Sequence, residues 1–187
     1  MIKIIGPRDK VPEGFRVIDV TSHATDCMRQ LSPFLLGPVE LYGGRVSETM
    51  ENAWQYCKVY PQFADENGDP TQKYFEWAQK GWSNPRAVRY TMGKGVKPLY
   101  SYWDGEKLGY ITARRRIYIP LYVKAAKETE AFKQLQKLVQ EQDVCLFDFD
   151  GYDIGDLSFE EVVEDSSRIM GHSVVLAMMI YKDIMHL

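Results

Sequence analysis

The chain has 187 residues, of which 45% are hydrophobic and 13% aromatic. This balance excludes a mainly disordered protein, and the length suits one compact domain of ordinary size. The 26 acidic and 23 basic residues give a net charge of −3, so the overall balance demands neither a nucleic acid nor an anionic membrane as partner. No apolar run reaches the roughly 18 residues of a membrane span, and the N-terminal segment breaks at Gly6-Pro7 before a signal-peptide core develops. We therefore expect a soluble, cytoplasmic protein without a membrane partner.

Cysteine and histidine are few and scattered. The chain has three of each, far apart, and no cysteine belongs to a C-x-x-C pair. A metal cage requires several such ligands at close spacing. We predict reduced thiols, no metal and no cofactor.

Turn signals divide the first half of the chain into short strands followed by helices. β-Branched residues predict strands at the start, whereas Ser47, Asp69 and Asn84 are predicted helix N-caps. The predicted elements are a candidate pair of strands over 2–5 and 15–20, a helical turn over 25–31, a strand over 38–42, and helices over 47–60, 69–81 and 84–93.

The second half is predicted to be mostly helical. Between residues 94 and 109, glycines and aromatics alternate without a clear period, which predicts a loop. The elements that follow are an amphipathic helix over 121–141, a buried strand over 144–147, a helical turn over 158–164 and a largely buried final helix over 166–185. The predicted fold class is therefore mainly α with a few short strands, an α+β single domain over residues 1–187.

The most informative segment is the predicted helix after Ser47. On a period of 3.6 residues, one stripe is apolar and holds Met50, Ala53, Trp54 and Cys57. Glu51, Gln55 and Lys58 follow one another at i, i+4 and i+7 along the edge of that stripe. There a carboxylate, an amide and an ammonium can all point into a cleft. The same spacing fits an exposed ladder worth only a few tenths of a kcal/mol, so both interpretations stay open.

Four carboxylates fall close together after the predicted strand over 144–147. They are Asp148, Asp150, Asp153 and Asp156. Crowded carboxylates raise one another's pKa, so one can stay protonated as an acid while a neighbour acts as a base or stabilises a cation. The spacing does not fit a calcium loop, because no glutamate falls at the twelfth position. The alternative is a plain Asp-Gly turn at a strand end.

A basic run and an aromatic pair supply further candidates. Arg114-Arg115-Arg116 has a charge density suited to phosphate, although three consecutive helical arginines point in different directions. Trp103-Asp104 joins a ring able to stack on a base to a carboxylate. The alternatives are a solvated basic face and a tryptophan of the core.

In the same order, these residues resemble the motifs of the NADAR family, also called YbiA-like. The similarity rests on Leu31-Ser32-Pro33-Phe34, Pro38-Val39, Tyr42-Gly43-Gly44, the helix with Ser47, Glu51, Gln55 and Lys58, Trp103-Asp104, residues 124–135, Leu146-Phe147-Asp148, and Ile169-Met170-Gly171 with Leu176 and Met178. The chain departs from the family pattern at Pro33 and Arg168, where asparagine is usual, and lacks a Trp-Gly motif after the acidic segment. The resemblance implies a YbiA-like core over 31–178 with an N-terminal β extension over 1–30.

The resemblance also implies an enzyme that hydrolyses the N-glycosidic bond of a ribosylated base or an ADP-ribose conjugate. Such cleavage passes through a ribosyl cation-like state that a carboxylate stabilises. Glu51 and Asp148 are the expected catalytic residues, meeting in one cleft. The expected substrate contacts are Ser32, Phe34, Gln55, Lys58, Trp103, Asp104, Arg114 and Asp150.

The expected partner is a small-molecule nucleotide or an ADP-ribosylated substrate, with nucleic acid only as a modified substrate. Two alternatives remain. The first is a nucleotide- or ADP-ribose-binding module on the same scaffold, in which Pro33 and the missing Trp-Gly motif mark lost catalysis. The second is a protein-interaction domain that uses exposed aromatic side chains.

Overall fold

A computed structural model describes residues 1–181 and contains both helices and short strands. The strands are β1 (Ile2–Ile5), β2 (Arg16–Asp19), β3 (Val39–Glu40), β4 (Val46–Ser47), β5 (Lys58–Val59), β6 (Tyr100–Trp103), β7 (Glu106–Leu108) and β8 (Val144–Phe147). The α-helices are α1 (Met50–Tyr56), α2 (Gln72–Trp82), α3 (Tyr110–Ala113), α4 (Ile119–Ala126), α5 (Glu130–Glu141), α6 (Phe159–Glu164) and α7 (His172–Tyr181). The predicted helical turn over 25–31 is a 3-10 helix, Cys27–Leu31. The predicted α+β class is confirmed.

The chain folds into two compact units. The terminal unit combines residues 1–35 with the chain from residue 122 onward, and the middle unit is the continuous stretch 36–121. The predicted core over 31–178 therefore falls on both units.

A three-stranded parallel sheet organises the terminal unit, with β8 between β1 and β2. Val144 lies opposite both Ile2 and Arg16, so each N-terminal strand pairs with β8 and not with the other. A strand flanked on both sides and covered on its faces is apolar throughout. Val144 and Leu146 accordingly have no exposed surface, which confirms the predicted buried strand.

The predicted helix over 121–141 is interrupted. α4 ends at Ala126, and α5 begins after Thr129, whose Oγ1 accepts a hydrogen bond from the Phe132 backbone N–H at 3.1 Å. This N-cap satisfies a donor that has no partner inside the helix. The apolar period continues across the break, which is why the pattern alone predicts one helix.

The last two helices largely follow their predictions. At the start of α6, Ser158 and Glu161 form a reciprocal capping box. α7 is buried from His172 to Met179, as its run of apolar residues from Val174 onward requires. It begins later than predicted, and predicted residues 182–185 lie outside the described residues.

A three-stranded antiparallel sheet, β5-β6-β7, belongs to the middle unit. The prediction of a loop over 94–109 is therefore wrong at residues 100–103 and 106–108, which form β6 and β7. These strands are joined by Asp104 and Gly105, whose φ angles of 46° and 89° are those that a tight hairpin turn requires. The Asp-Gly pair was a signal for this turn, but the aromatic strand beside it lacks a clear alternation.

α1 and α2 pack together in the middle unit. A Cβ at residue 81 would lie 2.0 Å from the Tyr56 ring, so the two helices approach this closely because Gly81 has none. α1 is capped by Thr49 and α2 follows Thr71, which corrects the predicted caps at Ser47 and Asp69.

The predicted helix over 84–93 is absent, and residues 84–99 form a loop. Within residues 1–181, no helix has both the length and the apolar character needed to cross a membrane.

Candidate functional site

The candidate site is built on α1. Thr49 caps this helix by accepting a hydrogen bond from the Asn52 backbone N–H at 3.1 Å. Met50 and Ala53 face the core with no exposed surface. Glu51 and Gln55 are 6% and 9% exposed, so the polar edge of the apolar stripe is itself buried.

Glu51, Gln55 and Lys58 form a hydrogen-bonded relay. Gln55 Nε2 donates to Glu51 Oε1 at 2.9 Å, and Lys58 Nζ donates to Gln55 Oε1 at 2.6 Å. The amide orientation is fixed by its neighbours, because only its NH₂ can face a carboxylate and only its oxygen can face an ammonium. Glu51 and Gln55 lie one turn apart on α1, but Lys58 begins β5, so the predicted helix over 47–60 is wrong beyond Tyr56. Because Glu51 and Gln55 are buried, the exposed ladder is the wrong interpretation.

The ammonium group of Lys58 contacts an aromatic ring, and its pKa depends on the charged groups nearby. Its Nζ lies 4.9 Å from the centroid of the Trp54 ring, a cation–π contact. Burial lowers the pKa of Lys58, and the positive charge of Arg89 lowers it further, against the opposing effects of Cys57 and Glu51. Burial also raises the pKa of the Cys57 thiol to about 11, so this cysteine is protonated at neutral pH and a poor nucleophile.

Arg114 joins the same cluster through aromatic rings. It lies at the first position of a π-helical turn, Arg114–Tyr118, and is 1% exposed. Its guanidinium lies 4.4 Å from the Tyr110 centroid, and its Nη2 donates to the Tyr110 hydroxyl at 3.0 Å. Tyr110 in turn lies 6.3 Å from the Trp54 ring. π-Turns are frequent at functional sites because they displace side chains from the regular helical path.

Asn52 connects α1 to the loop over 84–99. Its Nδ2 donates to the backbone oxygens of Asn84 and Arg86, both at 2.9 Å, and its Oδ1 accepts from the Val88 N–H at 2.8 Å. These three hydrogen bonds, here called the Asn52 clasp, hold the loop segment that carries Arg89, whose positive charge lowers the pKa of Lys58. The sequence showed neither residue, because no periodic pattern links position 52 to positions 84–89.

Trp103 and Asp104 lie at the hairpin of the middle unit. The Trp103 ring is 4.9 Å from the Tyr42 ring in an edge-on arrangement. Asp104 has a positive φ in the turn that joins β6 to β7. Trp103 is therefore part of an aromatic cluster, and the structure gives Asp104 a turn-forming role.

Asp148 belongs to the terminal unit, whereas the relay belongs to the middle unit. Its Oδ1 accepts from the Asp150 N–H at 3.2 Å, and its Oδ2 accepts from Ser173 N–H and Oγ at 3.2 and 3.0 Å. His172 Nδ1 also lies 3.1 Å from Oδ2, while His172 Nε2 lies 2.8 Å from the Val20 carbonyl oxygen.

Charge and burial oppose one another in this Asp148–His172 pair. Burial raises the pKa of Asp148, but the charge and hydrogen bonds of His172 and the Asp150 and Ser173 N–H groups outweigh it and hold the pKa well below its usual value. Burial lowers the pKa of His172, but Asp148 outweighs it and raises the pKa above its usual value. Both side chains therefore favour their charged forms.

The remaining predicted contacts lie in the terminal unit. Ser32 is 2% exposed, and its Oγ accepts from the Phe34 N–H at 3.4 Å. The Phe34 side chain is half-buried, and Asp150 is half-buried beside Asp148. Within residues 1–181, no three histidine, cysteine, aspartate or glutamate side chains gather as a metal ion would require.

These contacts define an α+β protein whose middle unit holds a buried carboxylate, amide and ammonium in series. The chain belongs to DUF6939, a family of unknown function, whose model matches residues 7–161. The matched range includes the whole middle unit and Asp148, and also β2, which precedes the region of the NADAR resemblance. Neither the curated proteins nor the solved structures contain a match. The NADAR resemblance stays a prediction.

Proposed function

We propose that this chain hydrolyses the N-glycosidic bond of a ribosylated base or an ADP-ribose conjugate. The observation that carries the proposal is the relay from Lys58 through Gln55 to Glu51. A ladder that only stabilises a helix surface would be exposed to solvent, but Glu51 and Gln55 are buried. A site for a cationic transition state needs a carboxylate that is held in place before the substrate binds.

The chemistry follows from the charges of the relay. As the bond from the ribose C1′ to nitrogen breaks, its electron pair goes to the nitrogen and positive charge develops on the sugar. The Glu51 carboxylate stabilises that charge and takes a proton from the attacking water, whose oxygen bonds to C1′. The Lys58 ammonium supplies a proton to the leaving nitrogen, because a lowered lysine pKa suits proton transfer nearer neutral pH.

A phosphate on the substrate fits the cationic side of the site. Arg89 is close enough to Lys58 to depress its pKa, so its positive charge lies near the site. Arg114 is turned onto Tyr110. We therefore assign the phosphate to Arg89, and a role in ordering Trp54 and Tyr110 to Arg114.

Asp148 takes a different role in this proposal. Its oxygens already accept from Asp150, Ser173 and His172, and its lowered pKa leaves no proton to donate near neutral pH. We propose that Asp148 orders the chain after β8 and that Glu51 is the one carboxylate that acts on substrate.

The test is turnover of a ribosylaminopyrimidine phosphate and of ADP-ribosylated guanosine, followed as release of the aminopyrimidine from the first and of guanosine from the second. Glu51→Gln keeps the shape of the side chain and is expected to lower turnover by about 100-fold or more. The matched control is Glu48→Gln, which makes the same change at an exposed residue just before α1 and leaves turnover intact. Equal turnover in both variants contradicts the proposal.

A second candidate is a nucleotide-binding module without catalysis. The observation that favours it is the engagement of Asp148, which leaves one predicted catalytic carboxylate where the resemblance implies two. Calorimetry with ADP-ribose separates the candidates, since binding without product from either substrate supports the module.

A further inference from the structure

The distribution of charge in the middle unit is uneven. From Trp77 to Trp103 the sequence has no aspartate or glutamate, although the whole chain has an acidic net charge of −3. The same stretch holds five basic residues, Lys80, Arg86, Arg89, Lys94 and Lys97. Positive charge is therefore concentrated in one part of a protein that is acidic elsewhere.

Most of these cations lie at the surface. Lys80, Arg86, Lys94 and Lys97 are exposed, and three of them lie in the loop over 84–99. We call this segment the basic loop. A loop this long without secondary structure is unusual in a compact fold and is most often functional.

The basic loop also exposes apolar surface. Tyr90 is 49% exposed, Val96 48% and Leu99 54%. The Arg89 guanidinium lies 5.5 Å from the Tyr90 centroid, which places a cation beside a ring that solvent can reach. Exposed aromatics among lysines and arginines are typical of surfaces that bind unpaired bases and their phosphates together.

The loop is anchored at both ends. Asn52 holds its first residues through Asn84, Arg86 and Val88, and the Leu99 N–H donates to the Val59 carbonyl oxygen at 2.8 Å. Between these anchors, Gly93 and Gly95 adopt positive φ angles and allow the chain to turn. The exposed cations are thus carried on a segment with fixed ends.

A hollow adjoins the start of the loop. Tyr56, Trp77, Lys80, Gly81 and Asn84 line a cavity of about 470 Å³. Two of its lining residues, Tyr56 and Trp77, have rings in contact, with centroids 4.6 Å apart, and Lys80 lines the same cavity. This cavity, like the basic loop, therefore places a cationic side chain near aromatic rings.

We propose that the basic loop binds single-stranded nucleic acid, with its exposed cations on the phosphodiester backbone and Tyr90 stacked on a base. The charge complementarity favours a polyanion, and the exposed ring favours unpaired bases over a duplex. The proposal concerns binding alone, so it stands or falls independently of hydrolysis.

The test is fluorescence anisotropy of labelled single-stranded DNA and RNA of about 16 nucleotides, measured at several salt concentrations. Lys94→Ala with Lys97→Ala is expected to weaken binding by about tenfold and to reduce the slope of log affinity against log salt by about 1.4, because each lost phosphate contact contributes about 0.7 for a single strand. The matched control is Lys10→Ala with Lys137→Ala, which removes two exposed lysines of the terminal unit and leaves the affinity unchanged.

A second pair of variants tests stacking. Tyr90→Ala is expected to weaken binding by about tenfold, whereas Tyr90→Phe retains it. Preferential binding to either DNA or RNA single strands supports the proposal and identifies the natural strand. No binding at low salt, equal loss in the control variant, equal affinity for duplex DNA, or binding only to phosphatidylserine vesicles overturns it.

Discussion

His172 and Asp148 form a buried charged pair, with Nδ1 of the imidazole 3.1 Å from Oδ2 of the carboxylate. Their side chains are 7% and 5% exposed. Because the other ring nitrogen faces the Val20 carbonyl oxygen, the imidazolium has a partner on each side. The pair links α7 to the end of β8 and is expected to make folding depend on pH.

The direction of that dependence follows from the two pKa shifts. The raised pKa of His172 contributes stability that is present below its ordinary value of 6.5 and lost as pH rises through the folded value. The lowered pKa of Asp148 contributes stability that is present above 3.8 and lost as pH falls. Stability from this pair is therefore greatest between those two values.

His172→Gln is expected to lower the free energy of unfolding by about 3 kcal/mol below pH 6.5, because it leaves a buried carboxylate without its cation. It also removes the decline of stability with rising pH. Urea unfolding from about pH 5 to 8.5, followed by tryptophan fluorescence, measures both effects. His23→Gln changes an exposed histidine and serves as the control. A wild-type stability that does not fall with rising pH would contradict the charged pair.

The Gln55 amide is expected to hold the relay together. Gln55→Met removes both hydrogen bonds without changing the volume much, and should destabilise the protein by about 2 kcal/mol because buried polar groups lose a partner. Gln62→Met makes the same change at an exposed position and should have little effect. Denaturant unfolding of both variants measures the difference in the free energy of unfolding. Equal stability would show that the relay does not stabilise the fold.

Lys58 is expected to set the alkaline limit of activity. Its pKa is lowered by burial and by Arg89, so turnover should decline at a pH below the ordinary lysine value of 10.5. Lys58→Arg keeps the positive charge but its guanidinium does not release a proton, and Lys58→Met has no proton to give, so both should lose most activity and, with it, this alkaline limit. The pH profile of kcat/KM is the measurement. An unchanged limb in Lys58→Arg would assign the titration to another group.

The Asn52 clasp is expected to order the basic loop. Asn52→Ala removes three hydrogen bonds to residues 84–88 and should cost about 3 kcal/mol of stability, because backbone groups of the loop lose their partners. It should also speed amide exchange at Val88 more than at residues of α5. Asn67→Ala, at an exposed turn, is the control. Protection at Val88 that survives the substitution would show that the loop is ordered by other contacts.

The sequence predicted the elements whose signals are local and periodic. The relay is the clearest case at Glu51 and Gln55, whose spacing of four residues places them on one edge of α1, whereas Lys58 lies in β5, beyond the end of that helix. The break at Thr129 escaped prediction because the apolar period of α4 continues into α5. Periodicity reports which face is buried and not whether the backbone is continuous.

Contacts between distant segments could not be predicted in the same way. Arg114 carries the right charge for a phosphate, but its orientation depends on Tyr110 and on a π-turn that no sequence pattern announced. Asp148 was an acidic residue after a strand, and only the structure shows that His172 and Ser173 surround it. Charge can be read from the sequence, whereas its surroundings come from tertiary packing.

The position of β8 in its sheet has a consequence for biosynthesis. Both N-terminal strands pair only with β8, so they have no partner while the ribosome is still producing the residues before Val144. The continuous stretch 36–121 has every strand and helix of its own unit by the time residue 121 is added. Translation therefore favours early completion of the part that carries the relay, and the parallel sheet closes only after β8 has been made.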